Sequence, residues 1–587
     1  MKCTCARLLT AAVVGLASVL PFVAAGRYGL INLDDYVYVL SYPEVTGGLS
    51  LAGVRWAFTW IGDSMWAPLT WLSYMADYSV GWGVTGMHWL SLVLHGVNAA
   101  ILFCLLASLS GADRRSALVA AVAALTWSIH PLRVESVVWI AGRKDVLSAF
   151  FFLSALLCWS RGSRASLVAS ILLLAVGGLA KSSVMVFPAF AIGLDVFQAR
   201  RRPWWAYVAV VVLSLAFAAE SGWAQKTGGA MEPTGIPWSY MLVNSLAALT
   251  VYVGNALWPN GLALQCLLRY PDFPRWSPLG LLALLAFAWW GYGLARRAFR
   301  SRGIAGIRDE AMCFGGVLLC LVGLAPFVGL LPFGAHAFAD RFTLLPSLGL
   351  SFGLVALWRW SESLASCRMA QTVGRVAAFF AVAACGLLTV RQTGFWKDDV
   401  TLFSHTLRVD GFGNLAAHHM IGLYYWEYKH DMEKVCQHMS HHLTALPWYA
   451  ERYGHYAPFL IEAAYATGRR DLAEDACAWL GKWDWRQVRR ARREGDFVLK
   501  TTISEIYGET IRLLNTDGQL ENAKKEFAKA FARAPRHFLT REIAWQIAMK
   551  EGNADAIAKA LDDCTHSTGD SYFRNRWAKN HILPRTQ

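Results

Sequence analysis

The chain has 587 residues, 55% hydrophobic and only 16% charged, with 27 Trp and a formal net charge of +14. So low a charged fraction excludes an ordinary water-soluble enzyme, and the positive excess lies in short Arg clusters between apolar runs, where it sets membrane orientation and argues against a nucleic-acid partner. The 12 Cys are scattered and none form a CxxC of zinc or redox spacing, so neither a disulfide framework nor a metal finger is expected.

Residues 1–391 alternate apolar runs with short basic loops, whereas 392–587 is charged and nearly free of long apolar stretches. The expected organisation is an all-α polytopic membrane domain over 1–391 and a helical, water-exposed domain over 392–587. A spanning helix needs roughly 17–25 mostly apolar residues. Eleven stretches qualify, centred near Val14, Ala99, Ala123, Leu153, Leu172, Ala191, Val211, Leu285, Leu319, Gly353 and Ala381. The first follows Lys2 and Arg7 and ends in Val23, Ala24, Ala25 and Gly26, in the manner of a cleaved leader, but it is long for one and reads as a retained span. A cytoplasmic N-terminus places Arg114 and Arg115, Arg161 and Arg164, Arg200 to Arg202, Arg296 to Arg308 and Arg359 to Arg375 on the cytoplasmic side. This works only if Met241 to Trp258 does not cross, so that stretch is expected to be interfacial or re-entrant. The odd number of crossings then exports 392–587.

Seven cations are left on the external side: Arg133, Arg143, Lys144, Lys181, Lys226, Arg269 and Arg341. Any one of them alone could be a rim charge against lipid headgroups. Arg143 beside Lys144, at a turn between two spans, points instead to an anionic ligand such as a lipid-linked phosphate.

In chain order, the first external loop, 28–86, opens on Asp34 and Asp35 and continues through Trp56, Trp60, Trp66, Trp71, Trp82 and Trp89, a density typical of a membrane interface. Adjacent carboxylates repel each other unless something compensates, so the pair is either a helix cap or a general base. The second loop runs from His130 to Asp145 and carries Arg133, Glu135, Arg143 and Lys144. An Arg fork and a Lys point charge can neutralise a departing phosphate, while His130 before a Pro also suits a plain turn. Lys181 sits among small residues between two spans, and Asp340 with Arg341 opens the tenth span, where the two could simply pair.

The runs NLDDY (32–36), APLTWLSY (67–74), HWLSLVLHGVNAAILF (88–103), HPLRVESVVWIAGRKDVLSAFFFL (130–153), AKSSVMVFPAF (180–190), ADRFTLLPSLG (339–349) and RQTGFWKDDVTLF (391–403) resemble the transmembrane and tetratricopeptide-repeat (TMTC) O-mannosyltransferases and their bacterial relatives, within the GT-C glycosyltransferase class. The resemblance implies inverting transfer of a sugar from a polyprenyl-phosphate donor to a hydroxyl of an extracytoplasmic acceptor. Asp34 or Asp35 would be the base, with Arg143, Lys144, Lys181 and Arg341 on the donor phosphate and His130, Arg133 and Glu135 in support. No cofactor is called for, metal independence is favoured with a divalent cation left open as the alternative, and a bacterial inner membrane with a periplasmic active site fits best. The chain also lacks a convincing nucleotide-binding motif, as suits a lipid-linked donor. The loose LLRYPDFP run (267–274) leaves sugar and acceptor open. A lipid or polysaccharide acceptor, a transporter or flippase of lipid-linked glycans, and a scaffold for partner proteins are the competing readings.

In the C-terminal part, Tyr507, Gly518, Ala523, Phe527, Ala530 and Pro535 have the spacing of a tetratricopeptide unit of about 34 residues. Weaker units fall around Gly468, Ala473 and Cys477 and from Ala416 to Pro447. Stacked units leave a concave face suited to a protein or peptide acceptor. His438 and His442, with His418, His419 and His441, have metal-ligand spacing but no supporting acid or thiol, and are expected on a solvated face. Arg489, Arg490, Arg492 and Arg493 form a basic stretch suited to headgroups or to a solvated helix.

Overall fold

The computed structural model describes residues 2–40, 42–61, 64–110, 114–227, 236–264, 266–267, 274–300, 307–330, 336–364, 368–410, 414–444, 457–482, 506–533 and 538–552. Arg269, Pro535, Pro447 and the Arg489 to Arg493 stretch lie outside them. The described residues are all-α apart from a two-stranded antiparallel ribbon pairing Cys266–Leu267 with His336–Phe338. It divides into two compact units. One is Met1–Ile31, Glu44–Met231 and Ile236–Asp398; the other is Asn32–Pro43, Glu232–Gly235 and Asp399–Gln587.

Among the described residues of the first unit, seven helices are long and apolar enough to cross a membrane: Ala6–Arg27, Gly83–Ser110, Trp204–Thr227, Trp238–Leu257, Ser277–Arg300, Arg308–Phe327 and Thr372–Phe395. The protein is an integral membrane protein. Arg115–Ser128 and Pro131–Val138 form a further candidate, bent by 55° at the intervening break. Of the other stretches expected to span, the helices Arg164–Ala180 and Leu348–Leu364 have 17 residues each, at the lower limit of the roughly 17–25 of a span, and Phe187–Gln198 has 12. Arg143–Arg161 has 19 residues but carries charge at both ends. Conversely Trp238–Leu257, expected to lie at the interface, forms a 20-residue helix of spanning length.

Small residues set the helix contacts, as they do where lipid supplies no hydrophobic drive between helices. Gly15 of the first helix meets Gly96 so closely that a Cβ on Gly15 would stand 2.9 Å from the Gly96 carbonyl oxygen. Gly316 packs on Gly349 and Gly353, where an added Cβ would come within 2.6 Å of the Gly353 backbone. Phe152, Phe187 and Phe190 fill the space between their helices edge to face, at centroid distances of 5.3 and 5.5 Å.

In the second unit, helices Asp399–Asp410, Leu415–Tyr424, Met432–Met439, Ala457–Ala466, Arg470–Lys482, Leu520–Arg533 and Phe538–Glu551 enclose a core of Trp426, Phe459, Ile461, Ala473, Tyr507, Ala523, Ala530 and Ile543. Glu462 lies within it, accepting hydrogen bonds from Trp426 Nε1 at 3.2 Å and Tyr507 Oη at 3.3 Å. Burial pushes its carboxyl up to about 7.

The histidines of this unit correct the expected solvated face. His418, His419 and His442 are buried, His418 stacks on His441 at 3.9 Å, and its Nδ1 shares a hydrogen bond of 3.0 Å with His438 Nδ1. Burial first, then neighbouring positive charge, holds His438 down to about 4 and His442 to about 3, so both rings stay neutral. Among the described residues no group of three metal-ligating side chains converges.

Candidate active site

The segment read as the second external loop is folded inside the protein. Every residue from Trp127 to Val146 is buried. The chain leaves the Arg114–Ser128 helix at His130-Pro131, makes a 3-10 turn and the short helix Val134–Val138, passes Trp139 and a second 3-10 turn, and enters Arg143–Arg161. Pro131 lacks an N–H and the break strands backbone carbonyls that helical bonds would otherwise satisfy. Side chains from distant helices supply the donors: His95 Nε2 lies 2.8 Å from the Ser128 oxygen and Thr389 Oγ1 2.6 Å from that of Ile129. His130 is itself a turn residue, its Nδ1 accepting from the Leu132 N–H at 3.3 Å and its Nε2 reaching the Ala256 carbonyl at 3.1 Å.

A buried loop bearing this many ionisable groups must pair them, and the structure shows how. Arg143 is fully buried, ion-paired with Asp77, donating to the Met87 carbonyl at 2.9 Å and lying over the Tyr74 ring. Its charge is met inside the fold, as suits a strut joining the Pro68–Val80 and Gly83–Ser110 helices to the loop.

The other three cations assigned to the phosphate share two aromatic rings. Lys144 Nζ lies 5.9 Å from the Trp139 centroid, and the Arg341 guanidinium lies 5.6 Å from the same ring and 4.9 Å from that of Phe342. Lys181 Nζ lies 5.9 Å from Phe342 and forms a 2.5 Å ion pair with Asp145. Asp145 Oδ2, also buried, has no hydrogen-bond partner among the described residues. Glu135 holds Arg341 twice, through its side chain and through the Arg341 backbone N–H at 2.9 Å. Asp340 accepts from Asn255 Nδ2 at 3.3 Å. Fully buried Arg133 donates to Thr343 Oγ1 at 2.9 Å, leaving Nε and Nη1 without partners among the described residues.

Burial, reinforced by the neighbouring Glu135 carboxylate, raises the Asp340 carboxyl above the usual carboxylate range. Lys144, Lys181, Arg341 and Arg133 thus gather near Glu135, Asp145 and Asp340, in a poorly hydrated setting that strengthens an anion's contacts. Asp77, Asp145, Thr343, Asn255, Trp139 and Phe342 were not singled out in the sequence. The visible signals were an acid within the aromatic-rich first loop, an acid directly after Lys144, and aromatics beside two of the cations.

Asp34 and Asp35 are grouped with the second unit. They precede the π-helical turn Tyr36–Leu40. Asp35 is buried and Asp34 is partly open, while the Asn32 N–H just ahead of them donates to Asp399 Oδ1 at 2.6 Å.

No protein-family model matches the chain, and no solved structure matches it. It is similar to two curated proteins: Protein O-mannosyl-transferase TMTC3 of Mus musculus, 30% identical over 141 residues, and Protein O-mannosyl-transferase Tmtc1 of Drosophila melanogaster, 31% identical over 137 residues. The matched stretches cover 23% and 22% of this chain and 15% of each relative. What the chain shares with these O-mannosyl-transferases is therefore a segment, a small part of their length.

Proposed function

We propose that the protein is a membrane glycosyltransferase of the GT-C kind that moves a sugar from a polyprenyl-phosphate donor to a hydroxyl of an extracytoplasmic acceptor. The observation that carries the reading is the gathering of Lys144, Lys181 and Arg341 around Trp139 and Phe342. The similarity to O-mannosyl-transferases supports it. In this reading Lys181 and Arg341, each partly open, take the charge that develops on the departing lipid phosphate. Lys144 and Arg133 supply field from within, Glu135 orients Arg341, and Asp34 takes the proton of the acceptor hydroxyl with inversion at the anomeric carbon. The acceptor is a protein or peptide held by tetratricopeptide-like repeats of the second unit, and the active side faces the periplasm of a bacterial inner membrane.

The test is product analysis. Purified protein in lipid nanodiscs is given synthetic polyprenyl-phosphate sugars, mannose first, with Ser- and Thr-rich peptides, and products are read by mass spectrometry. A peptide heavier by one hexose, lost on Asp34→Asn, is the expected result. Release of free polyprenyl phosphate with no glycosylated peptide would move the acceptor to lipid or polysaccharide. Transbilayer movement of intact donor without cleavage would overturn the enzyme reading.

A further inference from the structure

A second polar cluster lies outside the candidate site, where helix Phe187–Gln198 hands over to Trp204–Thr227. A groove of about 590 Å³ runs there, lined by Ile192, Asp195, Val196, Ala199, Arg200, Arg201 and Tyr207. Its two ends differ in chemistry. Ile192 and Val196, one helical turn apart, are 49% and 66% exposed and form the apolar end. Arg200 and Arg201, both exposed, form the other.

The one acid in the lining does not neutralise them. Asp195 is buried, its Oδ1 accepting from Arg202 Nε at 2.9 Å and its Oδ2 from Tyr207 Oη at 2.7 Å and Trp159 Nε1 at 2.9 Å. Arg202 is also fixed structurally, covering Gly162 and donating to the Ser160 carbonyl at 3.2 Å. Among the described residues Arg200 donates only to that same neutral carbonyl, at 3.0 Å, so its charge is uncompensated. Arg201 lines the groove beside it. Trp204, 76% exposed at the start of the next helix, marks the interfacial level at which indole rings settle.

We infer that this groove binds one anionic glycerophospholipid, its phosphate between Arg200 and Arg201 and an acyl chain along Ile192 and Val196. A soluble anion would use only the two guanidinium groups. The exposed apolar end formed by Ile192 and Val196 selects an amphiphile, and the two uncompensated charges select an anionic headgroup over a zwitterionic one, whose own cation they would repel. The inference stands independently of the glycosyltransferase reading.

The experiment is native mass spectrometry of the full chain, exchanged into phosphatidylcholine-containing detergent and titrated with phosphatidylglycerol. One phosphatidylglycerol is expected to stay bound at collision energies that strip phosphatidylcholine. Arg201→Gln, whose side chain makes no structural contact comparable to that of Arg202, is expected to reduce retention roughly fivefold, and Arg200→Gln with Arg201→Gln more than roughly tenfold, both with unchanged elution from size-exclusion chromatography. Glycerol phosphate and inorganic phosphate at millimolar concentration should not compete. Equal competition by either would make this a soluble-anion site and overturn the assignment, as would undiminished retention in the folded Arg201→Gln variant.

Discussion

Two arginines assigned to one job from the sequence have different surroundings, and their substitution should separate. Arg143 is locked between Asp77 and the Met87 carbonyl, so Arg143→Ala leaves Asp77 buried and unpaired, a change that typically costs about 3–5 kcal/mol. The expected readout is loss of monodisperse protein and a lowered melting temperature, shared by Asp77→Ala. Arg341 and Lys181 are partly open but also pair the buried carboxylates of Glu135 and Asp145, so the milder variants Arg341→Lys and Lys181→Arg, which keep the charge, should fold and raise the donor KM or lower kcat by roughly ten- to a hundredfold, with acceptor KM unchanged. A soluble Arg143→Ala enzyme with only a donor defect would reverse the assignment. At the same scale, Glu462 gives the second unit a pH signature. Its folded value, about 7, lies above the ordinary 4.5 of a free glutamate, so its contribution is fully present below about pH 4.5 and drains away as pH rises to about 7. Scanning calorimetry of the full chain should show Glu462→Gln gaining on the wild type between these limits, by roughly 2–4 °C per kcal/mol, with a constant gap above.

Among elements, the informative contact is that of helices Arg308–Leu324 and Leu348–Leu364 through Gly316, Gly349 and Gly353. Backbones this close accept no side chain, so Gly316→Leu should force the pair apart. We expect a lower melting temperature and, because Asp340 to Thr343 sits between these helices in the chain, weaker donor use; Gly293→Leu, with open space at its Cβ position, is the control. The long apolar runs were legible in the sequence because uniform hydropathy over roughly 20 residues suits little besides a bilayer. The short helices were not: 17 apolar residues are equally compatible with a span or a buried helix. Nor was the fate of the His130 to Asp145 segment. Its charges suggested an aqueous loop, and only the topology supplies Asp77, Lys181 and Arg341, which lie 66, 36 and 206 residues from their partners. Cationic character could be read from residue types; which carboxylate quenches which cation could not.

For the whole molecule, the orientation proposed from Arg placement puts the second unit outside the cytoplasm. A reporter fused after Gln587 that is active only in the cytoplasm should therefore stay silent, and one active only outside should respond. The spanning length of Trp238–Leu257 gives this measurement its edge, since one additional crossing exchanges the two outcomes.

The pairing of Glu135 with Arg341 also has a dimension in time. A nascent chain emits Glu135 long before the Arg341 that will neutralise it; at about 5–20 residues per second, the wait for 206 further residues lasts on the order of 10–40 s. Throughout that interval Glu135 lacks the Arg341 partner that its burial requires, and is better held by water, headgroups or a chaperone than inside the fold. Closure of the fold is thus timed by the ribosome's arrival beyond Thr343. Chains stalled before Ala339 should remain open to cysteine-directed labelling at Ser136→Cys, and those stalled well after Gly353 should be protected.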